Sequence, residues 1–211
     1  DTEAITLVYE AAKRFIGFEM KRARKRHWTH LHKRGEHFQY ILDTGFHFGE
    51  WLEPGHDMGR DLVHNLFFTD YEVATAWFYQ SVREVAIMAG ILNRPDDKER
   101  YTRLADEIRR AYRREFLKDG TVRSKRQCRY VRPVDMGLVT KEEAGNIVAK
   151  LNEMLAAGDY KVGTGFLTTY RVMHVLSEYG YVDTAYRLLL NENCPGWMYE
   201  INKGATTTWE N

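Results

Sequence analysis

Apolar residues return every three or four positions along almost the whole chain, and no run longer than a few residues alternates apolar with polar. A period near 3.6 marks a helix with one buried face, whereas alternation marks a half-buried strand. The fold class read from this pattern is all-α, built of antiparallel helix hairpins joined by short loops. A sheet is limited to the short MYEI piece at 198–201.

Start and stop residues divide the pattern into helices. Ile5, Val8, Ala12, Phe15, Ile16 and Met20 share one face, which Trp28 and Leu31 extend through a long basic helix. Thr69 and Glu72 have the spacing of a capping box and open a helix whose inward stripe is Val73, Ala76, Trp77, Val85, Met88, Ala89 and Leu92. Pro95 sits where a first helical turn tolerates a missing donor, and Tyr101, Leu104, Ala105, Ile108, Tyr112 and Phe116 follow at helical spacing up to a turn at Asp119 and Gly120. A shorter helix is expected over 126–137, kinked or broken at Pro133. Thr140 and Glu143 form another capping box ahead of Ile147, Val148, Leu151, Met154 and Leu155, with Gly158 as the stop. Phe166, Tyr170, Met173 and Leu176 carry one brief helix, and Val182, Ala185, Leu188 and Leu189 carry another.

Composition removes several classes of function. Lys+Arg 31 against Asp+Glu 30 leaves a net charge of +1, so no global field draws the chain to nucleic acid or to an anionic membrane. The basic run KRARKRHWTHLHKR at 21–34 reads as a solvated helix face, because no nucleic-acid motif accompanies it. No apolar stretch approaches the roughly 18 residues that cross a bilayer, and the first residues lack the layout of a signal peptide; the compartment stays open. Cys128 and Cys194 are too few for a disulfide framework and read as free thiols, and His27, His30, His32, His56, Asp57, Asp61 and His64 match no metal signature. No cofactor and no metal are expected.

Two stretches resist helix assignment, roughly 35–68 and 191–211, and long irregular segments inside a compact domain are usually functional. The first holds GFHFGEWLEPGHD, where Gly49 and Pro54 bound a loop presenting Glu50 beside Trp51. An indole face can stack on the C–H face of a sugar while a carboxylate accepts hydroxyl protons, although Trp51 is equally readable as packing. The second, CPGWMYEINKGATTTWEN, gathers Trp197, Tyr199, Trp209, Glu200 and Glu210 beside the small residues Gly204 and Ala205.

The string GATTTWE, preceded by PGWMYEINK and by TGFLTTYRVMHVLSEYGYVDTAYRLLLNE, resembles the catalytic domain of bacterial α-L-rhamnosidases, glycoside hydrolase family 78. FGEWLEPG resembles that family's Gly-Asp-Trp-Leu loop, and the helix pair at 70–117 and RQCRYVRPVDMGLV fall between the two loops in the family's order, so the likeness covers about residues 40–211. The resemblance implies that residues 1–211 are a single domain, part of an (α/α)6 barrel whose N-terminal half and C-terminal end lie elsewhere in a parent chain. It also implies inverting hydrolysis of terminal α-L-rhamnose from a rhamnose-containing oligosaccharide or glycoside. One carboxylic acid would protonate the leaving oxygen and one carboxylate would activate water, the two standing about 6.5 to 9.5 Å apart.

By position in TTTWE, Glu210 would be the general base, with Glu50, Trp51, Trp197, Tyr199 and Trp209 binding substrate. The family's general acid lies in an Arg-x-Glu stretch followed closely by Gly-Trp, which is absent here, so the segment alone is expected to be inactive and to need the remaining domains of its parent. Glu50 replaces the loop's usual Asp, and Asn211 stands where the family commonly has Arg. Two other readings remain open: another six-hairpin sugar-cleaving enzyme of the unsaturated glucuronyl hydrolase kind, and a non-catalytic α-hairpin scaffold for protein partners. A scaffold would spread exposed aromatics along successive helices, whereas here they gather in two loops.

Overall fold

The computed structural model describes residues 1–32, 35–55, 63 and 70–209. Its regular elements are helical: α1 (Thr2–Ala23), two 3₁₀ turns (Trp28–His30 and Glu36–Tyr40), α2 (Tyr71–Ile91), α3 (Pro95–Phe116), α4 (Cys128–Asp135), α5 (Lys141–Ala157), α6 (Thr169–Glu178), α7 (Val182–Leu189) and α8 (Trp197–Asn202). Among the described residues the only β-type pairing named is an isolated bridge between Lys118 and Thr121, so the class is all-α as expected. The MYEI piece is helical rather than extended, since Gly196 starts α8 immediately after the Pro195 break.

The chain divides into two compact units, Asp1–Gly49 with Val63–Phe116, and Glu50–Leu62 with Leu117–Asn211. In the first unit α2 and α3 form the main hairpin, joined through Leu92–Arg94, and α1 packs on α2. Helix α2 is buried well beyond its expected stripe, with Thr75, Phe78, Tyr79 and Val82 all enclosed, whereas α3 keeps the single face read for it, Tyr101, Ala105, Ile108 and Tyr112. Glu72 is buried and accepts the Tyr112 hydroxyl; Thr69, its expected capping partner, lies outside the described residues.

Helix α1 corrects the sequence reading twice. It ends at Ala23, so Trp28 and Leu31 do not extend its face and are 64% and 67% exposed. Its buried stripe is Tyr9, Ile16, Glu19 and Ala23, while Val8 and Phe15 face outward. The reason is tethering: the Tyr9 hydroxyl and the Lys13 ammonium both donate to Asp97 at 2.9 Å, turning a mixed polar and aromatic face inward. Apolar residues sit on two sides of this helix, so hydropathy alone could not choose between them.

In the second unit α4, α5, α6 and α7 enclose a core that includes Val131, Ile147, Val148, Leu151, Leu155, Val172, Val175, Leu176 and Leu188. The Thr140 capping box forms as read: Thr140 N–H donates to Glu143 Oε2 at 2.8 Å and Glu143 N–H to Thr140 Oγ1 at 3.2 Å. The turn at Asp119–Gly120 also forms, with φ of 53° and 70°, the left-handed pair that a two-residue hairpin loop requires. Pro133 lies inside α4, which ends two residues later at Asp135. Helix α6 begins only at Thr169, so Phe166 precedes it; Phe166 and Tyr170 are exposed, and Val172, Val175 and Leu176 make the buried face instead. Val182 is likewise exposed at the start of α7.

Candidate active site

The loop Glu50–Gly55 begins the second unit with a backbone that bulky residues rarely adopt. Trp51 and Leu52 take consecutive left-handed conformations, φ of 59° and 55°. Each such residue costs on the order of 1 to 3 kcal/mol and persists only where its surroundings impose it. Two carboxylates impose it. Glu50 is 1% exposed and accepts hydrogen bonds from Arg132 Nη2 and from the Thr168 hydroxyl. Glu53 is 6% exposed and takes both of its oxygens to Arg126, whose Nε lies 3.1 Å from Oε1 and 2.9 Å from Oε2. The Cys128 thiol donates to Glu53 Oε1 at 3.2 Å.

The other side of the loop is closed by backbone. Phe166 N–H donates to Trp51 C=O at 3.1 Å. Here Gly165 is required, because a Cβ would fall on the carbonyl oxygens of both Trp51 and Glu50. With its carbonyl and the Glu50 and Glu53 carboxylates fixed, Trp51 is a half-buried residue on a braced loop.

Charge in this interior is balanced. The Glu50 and Arg132 side chains are both fully buried, an arrangement that holds only because each charge has a partner. Cys128 is the first residue of α4, a position that can activate a thiol. Burial, with the negative charges of Glu50 and Glu53, outweighs that effect and the nearby Arg132 and Arg126, and pushes the thiol well above its ordinary range. Cys128 is a buried thiol held in its protonated form, as its donation to Glu53 requires, and Cys194 is a free, exposed thiol.

The second expected segment is built differently. Trp197 opens α8, half-buried against the core of its unit. Tyr199 is half-buried, with the Lys203 ammonium 5.6 Å from its ring centre. Glu200 Oε2 accepts the Trp209 backbone N–H at 3.1 Å, and Trp209 is 42% exposed. Glu210, the expected base, lies outside the described residues, as do His56, Asp57, Asp61 and His64. Among the described residues no group of three or more His, Cys, Asp or Glu could hold a metal ion, and no helix is long and apolar enough to cross a membrane.

One short stretch joins the two segments. Val162 N–H donates to Pro195 C=O at 3.2 Å, and Phe166 N–H binds Trp51. Four residues span at most about 14 Å, so the loop carrying Trp51 and the one leading to Trp197 border the same strip of backbone. Sequence reading missed Glu53, Arg126, Arg132, Thr168 and Gly165. A signal for one of them was present: Arg132 falls on the apolar face of α4 with Cys128 and Val131, and a buried arginine requires a buried acid.

Comparison with known proteins places this geometry in a family. A family model described as the bacterial α-L-rhamnosidase six-hairpin glycosidase domain matches residues 1–211, beyond the stretch from about residue 40 that the motifs covered. An α-L-rhamnosidase of Formosa agariphila is 33% identical over 168 residues, 77% of this chain and 18% of that protein. One from Streptomyces avermitilis is 34% identical over 176 residues, 83% of this chain and 16% of its own length. The crystal structure of a Streptomyces avermitilis α-L-rhamnosidase complexed with L-rhamnose superposes with a TM-score of 0.80 at 27% identity, covering 100% of this chain and 18% of that one. This chain thus spans less than a fifth of the length of each of these three α-L-rhamnosidases. It belongs to the bacterial α-L-rhamnosidase family and carries sequence of that family's six-hairpin glycosidase domain.

Proposed function

We propose that this chain works within an α-L-rhamnosidase that removes terminal α-L-rhamnose with inversion at the anomeric carbon. The observation that carries the reading is the family match along every residue, ending on the TTTWE string that contains Glu210. In this proposal the Glu210 carboxylate takes a proton from water as that water attacks C1, and a carboxylic acid outside these 211 residues protonates the departing oxygen. Trp51, Trp197, Tyr199 and Trp209 offer ring faces to the sugar. Glu50 acts as a positioning residue: its carboxylate is occupied by Arg132 and Thr168, and its effect on substrate passes through Trp51. Glu200 has the same relation to the base, since its bond to the Trp209 amide fixes the residue before Glu210.

The test uses the complete polypeptide that contains this chain. Glu210→Gln keeps the shape and removes the proton acceptor, so kcat on an aryl α-L-rhamnoside should fall by roughly 10² to 10⁴-fold. NMR of the wild-type reaction at early times should show the inverted anomer as first product. Near-normal kcat in the variant, or a first product of retained configuration, overturns the assignment.

A further inference from the structure

A second concave site lies in the same unit, at the ends of α5 and α7. It is a cavity of about 380 Å³ lined by Asp159, Tyr160, Tyr186, Arg187, Leu190 and Asn191. Small-molecule sites run from roughly 300 to 1,000 Å³, so the volume suits one compact ligand. Tyr186 and Leu190 stand one helical turn apart and are 59% and 57% exposed, which gives the cavity an open apolar wall with an aromatic face.

The polar wall is held in place before any ligand arrives. Asp159 and Tyr160 take consecutive left-handed conformations, φ of 56° and 53°. The Asn191 amide donates to both of their carbonyls, at 2.6 Å and 2.9 Å, which locks the turn. Arg187 Nη1 donates to the Tyr160 hydroxyl at 3.0 Å, so the guanidinium is also tethered. Preorganised groups lose little freedom on binding. The lining offers donors from Arg187 and acceptors from Asp159 around an aromatic face, with one positive and one negative charge. That combination fits an uncharged pyranose, whose C–H face stacks while its edge hydroxyls both donate and accept.

We propose that this cavity is a second saccharide site, taking another pyranose unit of the glycan whose terminal rhamnose the proposed reaction removes; it rests on that reading for the identity of the glycan. Its position supports the link. Tyr160 is two residues from Val162, which binds Pro195, and Asn191 is six residues ahead of Trp197, a reach of about 20 Å at most.

The test is affinity electrophoresis of the complete polypeptide, carrying Glu210→Gln to prevent digestion, through gels with and without a rhamnose-branched polysaccharide. The expected result is retardation that weakens at least fivefold with Tyr186→Ala and survives with Tyr186→Phe, which keeps the stacking face. Leu190→Gln, at a second exposed position on the same wall, should weaken it similarly and serves if Tyr186→Ala fails to fold. No retardation of the parent, unchanged retardation with Tyr186→Ala and Leu190→Gln, or equal loss with Tyr186→Phe and Tyr186→Ala overturns the site. Hydrolysis of an aryl rhamnoside by the protein with Glu210 intact separates the two readings: Tyr186-dependent retardation without hydrolysis sinks the catalytic proposal and leaves the cavity's role standing.

Discussion

In the loop at Glu50–Gly55 both carboxylates turn inward, onto Arg132, Thr168, Arg126 and Cys128, while in the segment Trp197–Trp209 no residue is buried and Glu200 caps a backbone amide. Written as sequence, the two look alike: an aromatic beside a glutamate, near Gly or Pro. Their physics differs. The first holds a strained Trp51 on an interior ion pair, so its rigidity belongs to the core of its unit. The second rests on a six-residue helix whose first residue, Trp197, packs on the core, and beyond that on local hydrogen bonds, so most of its rigidity is local. A glutamate next to a tryptophan therefore does not by itself identify a ligand contact; where the carboxylate finds its partner does.

The contrast is most open to attack through stability. Arg132→Met strips the partner from a fully buried Glu50 and should cost about 3 to 5 kcal/mol, read as a shift of the unfolding midpoint. A loss below about 1 kcal/mol would mean that the pair does not hold the loop. Trp51→Ala tests presentation rather than support. It should lower kcat/KM for a rhamnoside by the equivalent of about 1 to 3 kcal/mol while leaving the melting temperature nearly unchanged. A large melting shift with normal kinetics would make Trp51 a packing residue.

Cys128 reports on the same interior through pH. Its thiol is raised in the fold, so native and unfolded chains bind the same proton at neutral pH and stability is unaffected there. Above about pH 9 the unfolded thiol loses its proton first, and stability should decline by up to about 1.4 kcal/mol per pH unit. Cys128→Ala should flatten that part of the pH curve; an unchanged slope would mean that the thiol is not enclosed as described. The smallest effect is expected in the other segment, where Glu200→Ala removes one exposed hydrogen bond and should cost about 0.5 to 1 kcal/mol. A cost matching that of Arg132→Met would erase the distinction between the two loops.

What was legible in advance was local. The Thr140–Glu143 box, the Asp119–Gly120 turn and the α3 stripe depend on residues within one or two helical turns, and each formed as read. The α1 face was not legible, because Asp97, more than eighty positions along the chain, decides which side of the helix turns inward. The same holds at the candidate site. Trp51 could be picked out from its Gly- and Pro-bounded loop, but the partners of Glu50 lie 82 and 118 residues away, and spacing along the chain carries no trace of such pairs. Helix α8 escaped notice because six residues rich in Trp, Tyr and Ile read more readily as a strand.

The most direct measurement is a crystal structure of the complete polypeptide with L-rhamnose bound. The sugar should lie within van der Waals contact of the Trp51 ring, with Glu50 still bonded to Arg132 and Thr168. A Glu50 carboxylate released from Arg132 and bonded to a sugar hydroxyl, or a rhamnose bound away from Trp51, would contradict the positioning role of Glu50 and the stacking role of Trp51.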